Sequence, residues 1–209
     1  MNKVNEVLKF PGNDVFEKDL TELLSIPEGE AKNPVNVAVF DLDEFMRVNT
    51  NFGNDYGDTV LINVGKYVSS ALPKGATIYR VGGDEFAIIF NNEMEKEEVF
   101  LFMEDIRRGY EEKLPDGDEM SISIGIAEAY TDATRYQELV RKAESALFRA
   151  KGNGRNKVAL AKEEKMVPKT SHYTADQLKC LSKIAKKEGI GEAILLREAL
   201  DILIKKYDV

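Results

Sequence analysis

Arg80-Val81-Gly82-Gly83-Asp84-Glu85-Phe86 joins two strand-like runs. Ala76-Thr77-Ile78-Tyr79-Arg80-Val81 precedes the glycines, and Phe86-Ala87-Ile88-Ile89-Phe90 follows the carboxylates. A two-residue Gly-Gly connection between β-rich runs predicts a tight hairpin. Glycine there accepts positive φ and lets a ligand approach bare backbone. Two acidic residues at such a tip are poorly explained by folding, and they point to a metal ion or a polyphosphate.

Outward from the hairpin, strands and helices alternate. Residues 14–25 carry Val15, Phe16, Leu20, Leu23 and Leu24 at helical spacing, and a polar loop over 27–34 follows. Val35-Asn36-Val37-Ala38-Val39-Phe40 reads as a buried strand running into Asp41-Leu42-Asp43. A helix is predicted over 58–72, with Val60, Leu61, Val64 and Val68 on one face, and another over 95–112. The acidic start of the latter suits the helix dipole. Residues 120–126 alternate like a half-buried strand, 136–151 form a helix stopped at Gly152-Asn153-Gly154, and 158–160 form an edge strand. The fold class is α+β, a mixed central sheet covered by helices.

The chain has 209 residues and a net charge of −8, enough for one ordinary domain and an appendage. Of its 29 basic and 37 acidic residues, 10 and 8 fall within 162–209. That leaves a balance of +2 in the tail and −10 in 1–161, so bulk charge excludes nucleic acid from the larger part. One cysteine, Cys180, rules out an intrachain disulfide, and one histidine, His172, leaves no Cys/His zinc spacing. With no long apolar run and no leader-like opening, a cytoplasmic location is expected. The expected domains are 1–161, a charged linker over 162–166 and a second unit over 167–209.

Asp41 and Asp43 stand where a buried strand meets a loop, and Asp84 and Glu85 stand past the hairpin tip. If those strands are neighbours, Asp41 and Asp84 converge. Paired carboxylates with substrate phosphates are a common Mg²⁺ arrangement, although single Asp residues at strand ends more often serve turns and caps.

Gly82-Gly83-Asp84-Glu85-Phe86 resembles the signature of GGDEF-domain diguanylate cyclases. Four further blocks resemble that family in order: 40–49, 51–61, 121–127 and 143–156, so that the match runs over about 10–160. The resemblance implies condensation of two GTP, one on each of two facing domains, into cyclic di-GMP and two pyrophosphates. It implies Mg²⁺ or Mn²⁺ held by Asp41, Asp84 and the Leu42 carbonyl, with Asp84 and Glu85 catalytic. Backbone amides around Asp43, Glu44 and Phe45, with Lys151 and Arg155, would bind phosphate; Asn49 and Asp58 would read guanine. On their own, Lys151 and Arg155 also suit a helix C-terminus, and Asp58 suits a helix N-cap.

The chain departs from the family pattern in places. Met46 stands where a phosphate-contacting lysine is usual, which predicts a slower enzyme. Pro73 and Ala76 occupy the two places of the product-inhibition motif, so feedback through that site is not expected.

Residues 167–207 resemble a ribbon-helix-helix domain, an extended run followed by two helices. Such a short unit cannot bury a core alone, so two copies pairing their strands are expected, making a homodimer. In that family the ribbon enters the DNA major groove, which here would present Lys169, Thr170 and His172. The strand lacks the arginine commonest in base readout, so a purely dimerising ribbon is the competing expectation. A second functional reading is a weak or inactive nucleotide-binding domain regulating a DNA-binding ribbon.

Overall fold

The computed structural model describes residues 3–25, 34–162 and 168–206. The expected polar loop and most of the charged linker lie outside the described residues. The chain divides into two compact units, Met1–Glu163 and Glu164–Val209.

The first unit opens with helices α1 (Lys3–Leu8) and α2 (Asn13–Leu24), followed by strand β1 (Asn36–Leu42). Helices α3 (Phe45–Phe52) and α4 (Asn54–Ala71) come next, then the hairpin of β2 (Ala76–Arg80) and β3 (Glu85–Phe90). Helix α5 (Lys96–Gly109) leads to the short pair β4 (Glu112–Lys113) and β5 (Glu119–Met120). Strand β6 (Ile122–Glu128), helix α6 (Tyr136–Gly152) and strand β7 (Val158–Leu160) complete the unit.

The five-stranded sheet has the order β2-β3-β1-β6-β7. Its pairs are antiparallel except β6 with β7, so the sheet is mixed. β1 is central and buried along its whole length, as suits the apolar run over 37–40, and it carries the polar Asn36 and Asp41 into the interior. Even-numbered β1 residues Ala38, Phe40 and Leu42 join one core with Val60, Val64, Val99 and Met103. Odd-numbered Val37 and Val39 join a second core with Phe16, Leu20, Leu139 and Leu147. The period of two along the strand therefore puts Asp41 on the α6 face. A Cβ on Gly125 of β6 would collide with the backbone of Ala143 and Leu147, so glycine lets α6 lie close to the sheet at this point.

Several expectations change. The hairpin connection spans 81–84 rather than two glycines, and it closes when the amides of Val81 and Gly82 both donate to the Glu85 carbonyl. Neither glycine takes positive φ. α4 starts at Asn54, because Gly53 at φ 85 breaks the chain direction and accepts from the Gly57 amide. Asp58 is therefore inside the helix and is not its N-cap. α1, α3 and the β4–β5 pair were not expected, and α5 ends at Gly109 rather than 112.

The second unit holds α7 (Ala175–Glu188) and α8 (Glu192–Lys206). Thr174 and Gln177 form a capping box at the start of α7, and Gly189 closes it in the left-handed region. Residues 168–173 carry no ladder within the single chain. Leu178, Ile184, Leu200, Ile202 and Leu203 are exposed, and no described residue of either helix is fully buried.

Candidate active site

The register between β1 and β3 sets Asp41 directly opposite Glu85, with Asp84 one residue before it. On the other side of β1, Asp41 faces Ser123 of β6. Two separate stretches of chain thus meet at one end of the sheet, on the face covered by α6.

Asp41 is 4% exposed. Its Oδ2 accepts from Lys151 Nζ at 2.6 Å, while Oδ1 is buried without a partner. Burial pushes the carboxyl up to about 7. The Lys151 ammonium opposes that rise, and the charges of Asp84 and Glu85 add to it. Among the described residues no three acidic, histidine or cysteine side chains are gathered as a ready cation cage. The donor set still fits a hard divalent ion: a buried oxygen lacking a partner, two more carboxylates within electrostatic reach, and a lysine filling part of the space.

The glycines hold this end of the hairpin open. A Cβ on Gly82 would stand 2.6 Å from Glu85 Oε2, so the Glu85 side chain folds back over bare backbone. A Cβ on Gly83 would meet nothing within 4 Å. Arg80 Nη2 donates to the Gly83 carbonyl at 2.5 Å, and Nη1 donates to Asn5 Oδ1 of α1 at 2.5 Å. Burial pulls the Arg80 guanidinium below its ordinary value, against the charges of Asp58 and Asp84. Arg80 is thus a tether for the loop, a role its place in the quoted stretch did not signal.

The phosphate expectation narrows. The Asp43 amide donates to the Ser121 carbonyl at 2.9 Å and is not available to an anion. The Asp43 carboxyl, 5% exposed, accepts from Ser123 Oγ, Ser121 Oγ and the Asn156 amide. Glu44 precedes α3 in the left-handed region at φ 55, and the amides of Glu44 and Phe45 face no other described acceptor as α3 begins. Met46 is 66% exposed on the first turn of α3. Arg47 does not replace the missing lysine: Nη1 lies 2.6 Å from Asp118 Oδ2, and Glu44 and Asp116 flank it.

Asn49 and Asp58 are both half-buried, on α3 and α4. A Cβ on Gly57 would collide with Asn49 Oδ1, so the bare Gly57 lets the Asn49 side chain lie against α4, one residue from Asp58. In the second unit Lys169, Thr170 and His172 are exposed, and nothing described gathers them into a site.

The family model "Diguanylate cyclase, GGDEF domain" matches residues 7–157. This chain belongs to that family. It is 35% identical over 138 residues to diguanylate cyclase A of Treponema denticola, covering 64% of this chain and 37% of the relative. It is 30% identical over 158 residues to the probable diguanylate cyclase DgcT of Escherichia coli, covering 72% and 35%. The chain therefore spans little more than a third of these relatives. Among solved structures, the GGDEF domain of PA1120 from Pseudomonas aeruginosa aligns with a TM-score of 0.68 and 27% identity, covering 75% of this chain and 99% of that one. The mixed α+β sheet flanked by helices is the GGDEF fold. The match stops short of the second unit.

Proposed function

We propose that this protein condenses two GTP into cyclic di-GMP and two pyrophosphates. The observation that carries the reading is the register placing Asp41, with its unpartnered buried oxygen, opposite Glu85. Asp41, Asp84 and the Leu42 carbonyl hold Mg²⁺ or Mn²⁺. When bound, the ion neutralises triphosphate charge and acidifies the attacking hydroxyl. The amides of Glu44 and Phe45, with Lys151 and Arg155, bind phosphate oxygens. Glu85 stands beside the attacking ribose as a proton acceptor or further ligand. Asn49 and Asp58 recognise guanine: an Asp carboxylate accepts from the ring N–H and exocyclic amine, donors that adenine lacks. In each half-reaction a 3′-oxygen bonds to the α-phosphorus of the other GTP, the α–β bridging bond breaks, and pyrophosphate leaves with the electron pair.

Because each active site holds one GTP, two domains must face each other. The exposed apolar residues of α7 and α8 support dimerisation through 167–209 as a ribbon-helix-helix unit, which raises the local concentration of the second domain. Exposure of Lys169, Thr170 and His172 leaves that unit able to meet DNA.

The second reading, a regulator that binds nucleotide without turnover, is favoured by one observation: Met46 at the phosphate end of α3 with Arg47 engaged elsewhere. Incubating the pure protein with GTP and Mg²⁺ and separating the products by chromatography decides between the two. Cyclic di-GMP is the expected product; bound GTP with no cyclic di-GMP in dimeric protein establishes the regulator instead.

A further inference from the structure

The chain leaving α6 carries three consecutive residues in the left-handed region: Gly154 at φ 101, Arg155 at φ 56 and Asn156 at φ 48. Glycine takes that conformation freely, but arginine and asparagine do so at a cost and persist there only when neighbouring groups hold them. Of the two proposed phosphate cations, Arg155 lies within this turn and Lys151 stands in the last turn of α6 just before it.

The holding groups are specific. The amides of Gly154 and Arg155 donate back to the Lys151 carbonyl, at 3.1 and 3.2 Å. The Asn156 amide leaves the helix direction and donates to Asp43 Oδ2 at 2.9 Å. Arg107 of α5 donates to Asn156 Oδ1 at 2.8 Å and is itself braced by Glu104. Ser121 and Ser123 of the adjoining chain each donate to Asp43 at 2.7 Å, fixing its carboxyl in place. No cationic side chain pairs with Asp43 in any of these contacts.

We propose that Asp43 is a positioning residue for triphosphate binding: by accepting the Asn156 amide it holds the left-handed turn that aims Lys151 and Arg155. It touches neither metal nor phosphate. The inference rests on the diguanylate cyclase reading above, and its chemistry separates the two. What matters in Asp43 is an acceptor oxygen facing Asn156, not its charge. Asparagine can present its carbonyl oxygen to Asn156 and its amide to Ser123, whose hydroxyl can accept. Alanine cannot.

The test is binding of a non-hydrolysable GTP analogue with Mg²⁺, alongside kcat and KM for GTP. Asp43→Ala is expected to weaken the analogue and raise KM about tenfold, the scale of leaving the Asn156 amide without its acceptor, with a smaller change in kcat. Asp43→Asn should stay within about threefold of wild type, and Mn²⁺ affinity without nucleotide should be unchanged in both. In an Arg155→Ala, Lys151→Met background, Asp43→Ala should add no further loss. Losses that are equal for Asn and Ala, that appear in Mn²⁺ affinity, or that persist in that background overturn the positioning role. If Asp43→Ala does not fold, Ser121→Ala with Ser123→Ala removes the braces of the carboxyl and should raise KM in the same direction; an unchanged KM overturns the proposal. Wild-type protein that fails to bind the analogue removes the diguanylate cyclase reading itself, whereas a wild type that binds beside an Asp43→Ala that binds equally well removes only the positioning role.

Discussion

Lys151 Nζ donates to Asp41 Oδ2 across 2.6 Å, joining the C-terminal end of α6 to the end of β1. The lysine satisfies only one of the two buried Asp41 oxygens. Lysine to methionine at 151 keeps the stem and deletes the charge. Loss of a charge-assisted hydrogen bond is expected to lower stability by about 1–3 kcal/mol, softened because Asp41 can take up a proton. Urea unfolding measures it, and an unchanged midpoint would show that the pair contributes nothing.

The Asp41 carboxyl, raised by burial to about 7, also predicts a pH dependence. Its folded-state value exceeds the unfolded one, so proton binding favours the folded state. The contribution is complete below about pH 4 and is lost as pH rises to about 7, after which it is flat. A divalent ion must compete with that proton, so Mn²⁺ affinity should rise about tenfold per pH unit up to about 7 and then level. Titration between pH 5.5 and 8.5 tests this; affinity independent of pH would exclude Asp41 as a ligand.

Met46 is exposed on the first turn of α3 and touches no core. Met46→Lys should leave stability within about 0.5 kcal/mol. It restores a phosphate cation, which is expected to improve kcat/KM for GTP by about tenfold or more, again the scale of a hydrogen bond to a charged group. Steady-state kinetics on the two proteins settle it, and equal kcat/KM would mean that the side chain does not reach the triphosphate.

The adjacent glycines should respond differently. In Gly82→Ala the new methyl meets Glu85 Oε2 at 2.6 Å and must push that carboxylate aside. In Gly83→Ala the methyl enters open space. Thermal melting is expected to shift for position 82 and to stay within about 0.5 kcal/mol for position 83, while GTP turnover falls in both. A Gly83→Ala protein with full turnover would mean that no ligand approaches that backbone.

Truncation after Ala161 removes α7 and α8 with their exposed Leu200, Ile202 and Leu203. Sedimentation should show a monomer, and turnover per chain should become steeply concentration-dependent. A truncated chain that stays dimeric places the interface in the first unit.

The buried run of β1, the hairpin strands and the long amphipathic helices were legible because each is a local pattern: a run, an alternation or a period. Motif spacing names Asp41, Asp84, Glu85 and Lys151 as candidates, and the fold brings Asp41 opposite Glu85 and within hydrogen-bond reach of Lys151. The helix α3 was not, since it begins on a left-handed Glu44 and has no usual cap. Asp58 passed for a cap because Gly53, not a side chain, separates α3 from α4. The motif points to the Asp43 amide as a phosphate contact, yet its amide and carboxyl are consumed by Ser121, Ser123 and Asn156, which lie about eighty and a hundred and ten residues away in sequence.

By itself the sequence determined the family, the mixed sheet and the identity of the acidic cluster, because these depend on periodicity and on ordered blocks. What each carboxylate meets is set by the tertiary structure. Asp41 lies in β1 and Asp43 in the turn just after it, two residues apart, and both are buried. One meets an ammonium and keeps an unpartnered oxygen; the other meets two hydroxyls and a backbone amide. The difference is set by what β6 and the turn after α6 bring to each position, and no local pattern in the chain encodes that.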